Sequence, residues 1–87
     1  MFRLWGKLIK DGRLLNDIVI EDDSNETRTH KVFNAVTALC REFDLAEPIW
    51  FDANVREFQR LSRTRFRGEN FAEEVAFDHL EIQVIEE

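Results

Sequence analysis

Apolar side chains return along Thr29–Asp44 with the period of an α-helix. Val32, Phe33, Val36, Leu39, Cys40 and Phe43 fall on one stripe, while Lys31, Asn34, Thr37, Arg41 and Glu42 lie mostly opposite. Such a stripe must rest on another apolar surface. Buried at about 1.5–3 kcal/mol for each large side chain, it contributes on the order of 10 kcal/mol before entropy. Thr27 or Thr29 supplies the N-cap, and Pro48 disfavours helical geometry at Glu47, so the helix ends near Leu45.

Ahead of this helix, two apolar runs, Phe2–Ile9 and Leu14–Ile20, flank Lys10-Asp11-Gly12, and Asp-Gly between such runs signals a β-hairpin. A two-residue Asp11-Gly12 loop would set Phe2 opposite Glu21 and Gly6 opposite Asp17, mixing acids into an apolar face. A three-residue loop with Gly12 in the left-handed position avoids this, pairing Phe2 with Ile20, Leu4 with Ile18 and Leu8 with Leu14. The opposite face then carries Arg3, Trp5, Lys7 and Ile9 beside Arg13, Leu15, Asp17 and Val19. Trp5, Leu15 and Val19 on that face require a cover. The later chain is the favoured cover, ahead of a partner or a second copy of the chain.

Beyond Pro48, Ile49-Trp50-Phe51 forms a short apolar clamp. Asn54 followed by Glu57 has capping-box spacing, and Val55, Phe58 and Leu61 mark the buried side of a second helix. If that helix runs on to Arg67, then Arg56, Arg60, Arg63 and Arg67 form one exposed row at i, i+4, i+7 and i+11, with Arg65 nearby. Within Thr64–Phe77 a third, short helix capped by Asn70 is expected, although Phe71, Val75 and Phe77 also fit a strand, and Gly68 marks the loop before it. Leu80, Ile82 and Val84 alternate with Glu81 and Gln83 as a closing strand. Laid beside the first strand, it extends the apolar face and sets Glu81 across from Lys7 or Arg3.

These elements predict an α+β fold in a single domain spanning residues 1–87. A hairpin is followed by two or three helices and a C-terminal strand, and a three-stranded, mostly antiparallel sheet is covered on one face by the helices. Composition agrees with one small core: 87 residues, 44% apolar, with eight Phe and two Trp. Cys40 is the only cysteine, which excludes an intrachain disulfide and points to a reducing, cytoplasmic setting. No run of 18 apolar residues and no signal-like N-terminus is present, so no membrane partner is expected.

Net charge is −6, yet Asn54–Arg67 holds five Arg against one Glu, a local +4. The guanidinium fork matches carboxylate or phosphate, so Arg56, Arg60, Arg63 and Arg67 are candidate partner-binding residues, together with Trp5. Against this stand seven acids with no Lys or Arg in the last nineteen residues, which offer internal pairing. The acidic loop Glu21–Glu26 lacks the Gly that a calcium loop needs for its sharp bend, so no metal site is predicted. His79 beside Asp78 and Glu81 is a candidate general base without a nucleophile. His30 alone makes no metal site, Cys40 faces the core, and no Gly-rich phosphate loop occurs, so no cofactor is predicted. The favoured reading is a non-enzymatic protein-interaction module that binds a protein or itself. A nucleic-acid accessory protein using the arginine row is the alternative, and a small enzyme or ligand-binding protein with a site near His79 is the second.

Overall fold

The computed structural model describes residues 1–87, and the elements run β1 (Phe2–Lys10), β2 (Arg13–Asp22), α1 (Arg28–Glu42), α2 (Asp52–Leu61), β3 (Arg63–Arg67) and β4 (His79–Glu86), with a 3-10 turn at Gly68–Asn70. The strands form one antiparallel sheet in the order β2-β1-β4-β3. The fold class is α+β, as the sequence indicates, with four strands where three were expected. No helix is long and apolar enough to cross a membrane.

The extra strand comes from the segment assigned to the end of the second helix. Ser62 takes the left-handed conformation (φ 56°, ψ 27°) and stops α2 at Leu61. From Arg63 to Arg67 the chain then alternates, with Thr64 and Phe66 buried and the three arginines exposed. Period 2 prevails over period 3.6 because β4 offers a backbone partner, pairing Arg63 with Gln83, Arg65 with Glu81 and Arg67 with His79. The expected third helix is reduced to the 3-10 turn, since Asn70 turns its amide inward instead of capping a helix.

The hairpin register also differs. The loop has two residues, Asp11 (φ 53°) and Gly12 (φ 74°), both left-handed as a type I′ turn requires. A bulge in β2 then advances the pairing from Ile9–Leu14 to Leu8–Asn16, so Leu4 meets Ile20 and Phe2 meets Asp22. Relative to the expected register the strands are displaced by two residues. An even displacement leaves every side chain beyond the bulge on its expected face.

Both helices cover the same face. Leu4, Thr64, Phe66, Leu80 and Ile82 of the sheet are fully buried beneath Val36, Leu39 and Cys40 of α1 and Phe58 of α2. Thr27 caps α1 by accepting the His30 N–H. Where α1 crosses β1, a Cβ on Gly6 would sit 2.9 Å from a Leu39 methyl carbon, so the glycine permits the close approach. Trp50 wedges between the elements, its ring edge-to-face with Phe33, Phe58 and Phe66 at centroid distances of 5.6, 5.6 and 5.0 Å. At the far end, Arg28 of α1 reaches Glu87 (2.6 Å) and the Ser62 hydroxyl (3.0 Å), tying together the ends of α2 and β4.

Candidate functional site

The second face of the sheet is left uncovered. The later chain, expected to wrap over Trp5, instead joins the helical side or extends the sheet. On the open face Trp5 is half-buried among its neighbours, and Leu15 and Val19 are 53% and 40% exposed. Addition of β3 beyond β4 brings Arg63, Arg65 and Arg67 onto this same face. Successive rows across the sheet read Arg63-Gln83-Trp5-Val19 and Arg65-Glu81-Lys7-Asp17, followed by Arg67-His79-Ile9.

Glu81 anchors the middle row. Its carboxylate accepts from Lys7 Nζ at 2.8 Å and from Arg65 Nε at 2.9 Å. Burial pushes this carboxyl up, but the two hydrogen bonds and the attached charges outweigh burial and hold it below its ordinary value. Lys7 also stands over the Trp5 ring, 4.1 Å from the centroid, and Trp5 Nε1 donates to Asp17 Oδ2 at 2.9 Å. Arg3 is shared between Glu21 and Glu86 at 3.2 and 2.8 Å.

Arg63 and Arg67, which flank this network, meet no carboxylate, and neither do Arg56 and Arg60. Of the seven C-terminal acids only Glu81 pairs with an arginine of the Asn54–Arg67 segment, whereas Glu86 and Glu87 go to Arg3 and Arg28. Internal pairing therefore does not account for the arginine cluster. The helical row itself is corrected. Arg56 and Arg60 remain exposed on α2, while Arg63 and Arg67 belong to a strand and are joined there by Arg65.

Between β3 and α2 runs a groove of about 420 Å³, lined by Arg63, Arg65 and Arg67 on the strand side and by Ala53, Glu57 and Leu61 on the helix side. A buried amide network holds these walls together. Asn54 Nδ2 donates to Thr64 Oγ1 and to the Arg65 carbonyl, both at 3.0 Å, and its Oδ1 accepts from Phe51 N–H and Asn70 Nδ2. Asn70 Nδ2 also donates to the Ile49 carbonyl, and Asn70 Oδ1 accepts the Arg67 N–H. Asn54 is thus a buried strut in the first turn of α2, three residues inside the N-cap at Phe51, where the sequence spacing suggested that Asn54 itself is the cap.

His79 lies on the open face, opposite Ile9 on one side and Arg67 on the other. Burial lowers its pKa first, and Arg65 and Arg67 lower it further against Glu81 and Asp78. Glu81, one of the two acids that flank His79 in sequence, is committed to Lys7 and Arg65. In the acidic loop, Asp22 Oδ1 accepts the Ser24 N–H, and nowhere do three or more His, Cys, Asp or Glu side chains converge as a metal-binding set. Cys40 is buried, and burial followed by the Glu47 charge pushes its thiol up to about 11.

Trp5, the arginine content and the pairing of Glu81 with Lys7 on the Trp5 face were legible in the chain; the arrival of Arg63, Arg65 and Arg67 on that same surface was not. The available signal was the strict alternation Arg63-Thr64-Arg65-Phe66-Arg67. No protein-family model matches the chain, and no curated protein or solved structure matches it.

Proposed function

We propose that this domain is a non-enzymatic, cytoplasmic protein-interaction module whose contact surface is the open sheet face, with Trp5 at its centre and Arg63, Arg65 and Arg67 along its edge. One observation carries the reading: Arg63 and Arg67 stand without carboxylate partners on the same uncovered face as Trp5. Exposed guanidinium groups about two residues apart along a strand repel one another, and an acidic partner relieves that repulsion. The buried thiol of Cys40 is in keeping with a reducing compartment. A nucleic-acid backbone is the second reading, and the arginine-for-lysine usage favours it to the same extent as it favours carboxylates.

The deciding experiment is a pull-down from native lysate with the wild-type chain, the Arg63→Glu, Arg67→Glu variant and an Arg56→Glu, Arg60→Glu control, each with and without nuclease. A protein retained after nuclease, lost with the strand variant and kept with the helix variant, is the expected result. Equal recovery from all three chains sinks the proposal, and recovery abolished by nuclease transfers the function to nucleic acid.

A further inference from the structure

We propose that the groove between β3 and α2 receives an extended acidic segment of the partner protein, with carboxylates at alternate positions paired to Arg63, Arg65 and Arg67. The inference rests on the interaction-module reading and names the chemistry of its partner.

The spacing is the first argument. Arg63, Arg65 and Arg67 project to one side of a strand, about 6.6 Å between successive members. An extended peptide repeats its same-side residues at the same interval, so acids at i, i+2 and i+4 meet all three forks in register. A helix approaches that interval only with acids at every fourth residue, about 6 Å apart, whereas the extended form serves all three with acids at alternate residues. The second argument is vacancy of charge. Arg65 already shares Glu81 with Lys7, whereas Arg63 and Arg67 have no carboxylate, so the groove carries three guanidinium groups against Glu57 and a shared Glu81.

The edge of β3 decides how the segment is held. In an antiparallel ladder a residue turns its N–H and C=O to the same side. The Arg65 carbonyl accepts from Asn54 and the Arg67 N–H donates to Asn70, so two groups on the outer edge are already occupied by side chains. Addition of a fifth strand would require breaking a buried, fully paired network. The incoming segment is therefore held by side-chain ion pairs across the groove and does not join the sheet.

A polyphosphate strand suits the groove less well. Trp5 is the only aromatic side chain in the rows of the open face, and its ring is covered by Lys7 and tethered to Asp17, which leaves no free platform for base stacking.

The test uses the full chain, isotopically labelled, titrated at low ionic strength and followed through backbone amide and arginine Nε–Hε signals. The probes are two capped heptapeptides of identical composition, Thr-Glu-Val-Glu-Val-Glu-Thr and Thr-Val-Glu-Glu-Glu-Val-Thr, and a heptathymidylate. The alternating peptide is expected to bind about tenfold more tightly than the block peptide, because it meets all three arginines where the block peptide's same-side acids meet at most two, a gain of one charge-assisted pair. Arg63→Gln with Arg67→Gln should remove that advantage, Arg56→Gln with Arg60→Gln should leave it, and Glu57→Gln should tighten binding by removing an acid from the groove wall. Equal affinity for the two peptides, absence of shifts at the β3 arginines, or tighter binding of the heptathymidylate overturns the inference. If the pull-down still loses its protein with the strand variant while the two peptides bind alike, the interaction module stands and only the extended acidic geometry falls.

Discussion

Asn54 uses both hydrogens and both lone pairs of its amide, on four partners contributed by the Ile49–Phe51 clamp, β3 and the 3-10 turn. Each bond is ordinary in strength, but the buried Thr64 hydroxyl and Asn70 amide, left without it, bear the desolvation penalty. Asn54→Leu, close in volume, should therefore lower stability by about 3 kcal/mol, seen as a reduced urea midpoint at unchanged slope. Glu81 makes a different prediction because it titrates. Its folded pKa lies below the ordinary value, so the carboxylate stabilises the fold above the ordinary range and that contribution fades as pH falls through the depressed value. The stability difference between wild type and Glu81→Gln should be greatest near neutral pH and close on acidification. Urea titrations at stepped pH measure it, and a constant difference would mean that the Lys7 and Arg65 bonds contribute nothing.

Elements end where their local chemistry stops them, and the two helices illustrate unequal solutions. At the end of α1, Phe43 is the C-cap and Asp44 takes a left-handed conformation with φ 57°. Glycine adopts that conformation without strain, and a negative charge there opposes the helix dipole. Asp44→Gly should stabilise the domain by about 0.5–1 kcal/mol in thermal or urea unfolding. At the end of α2, Ser62 takes the same conformation but its hydroxyl accepts from Arg28, so a glycine there would lose a bond as it relieved strain. The strand that begins one residue later was hidden in the sequence because Arg56, Arg60, Arg63 and Arg67 also satisfy helical spacing. Five residues are too few to separate the two periods, and only the pairing with β4 decides between them.

Across the whole molecule the two tryptophans divide stability from recognition. Trp50 joins three phenylalanine rings on the helical side, whereas Trp5 touches Lys7 and Asp17 on the open face. Trp50→Ala should cost about 3–5 kcal/mol, while Trp5→Ala should change stability by about 1 kcal/mol or less. Paired denaturation curves test both, and a Trp5 variant as damaged as the Trp50 variant would assign the open face a structural role. The same Trp5→Ala chain tests self-association. If the open face joins two copies, the wild type should run as a dimer in light scattering and the variant as a monomer.

Local periodicity was sufficient for α1, for the two faces of the hairpin and for the closing strand, since each repeats its apolar residues over enough positions to exclude the other period. Parity survived even where register did not, because the shorter loop and the bulge in β2 each displaced the pairing by one residue, two in all, and left inner and outer faces unchanged. Tertiary structure decided the rest. Whether Arg63–Arg67 is helix or strand depends on a backbone partner that arrives later in the chain, and whether Trp5 is covered depends on both helices choosing the same face. Those outcomes rest on contacts between residues distant in sequence, which no periodicity within a segment encodes. For the same reason, Trp5 and the arginines could be picked out one by one from the chain, but only the completed sheet made them neighbours.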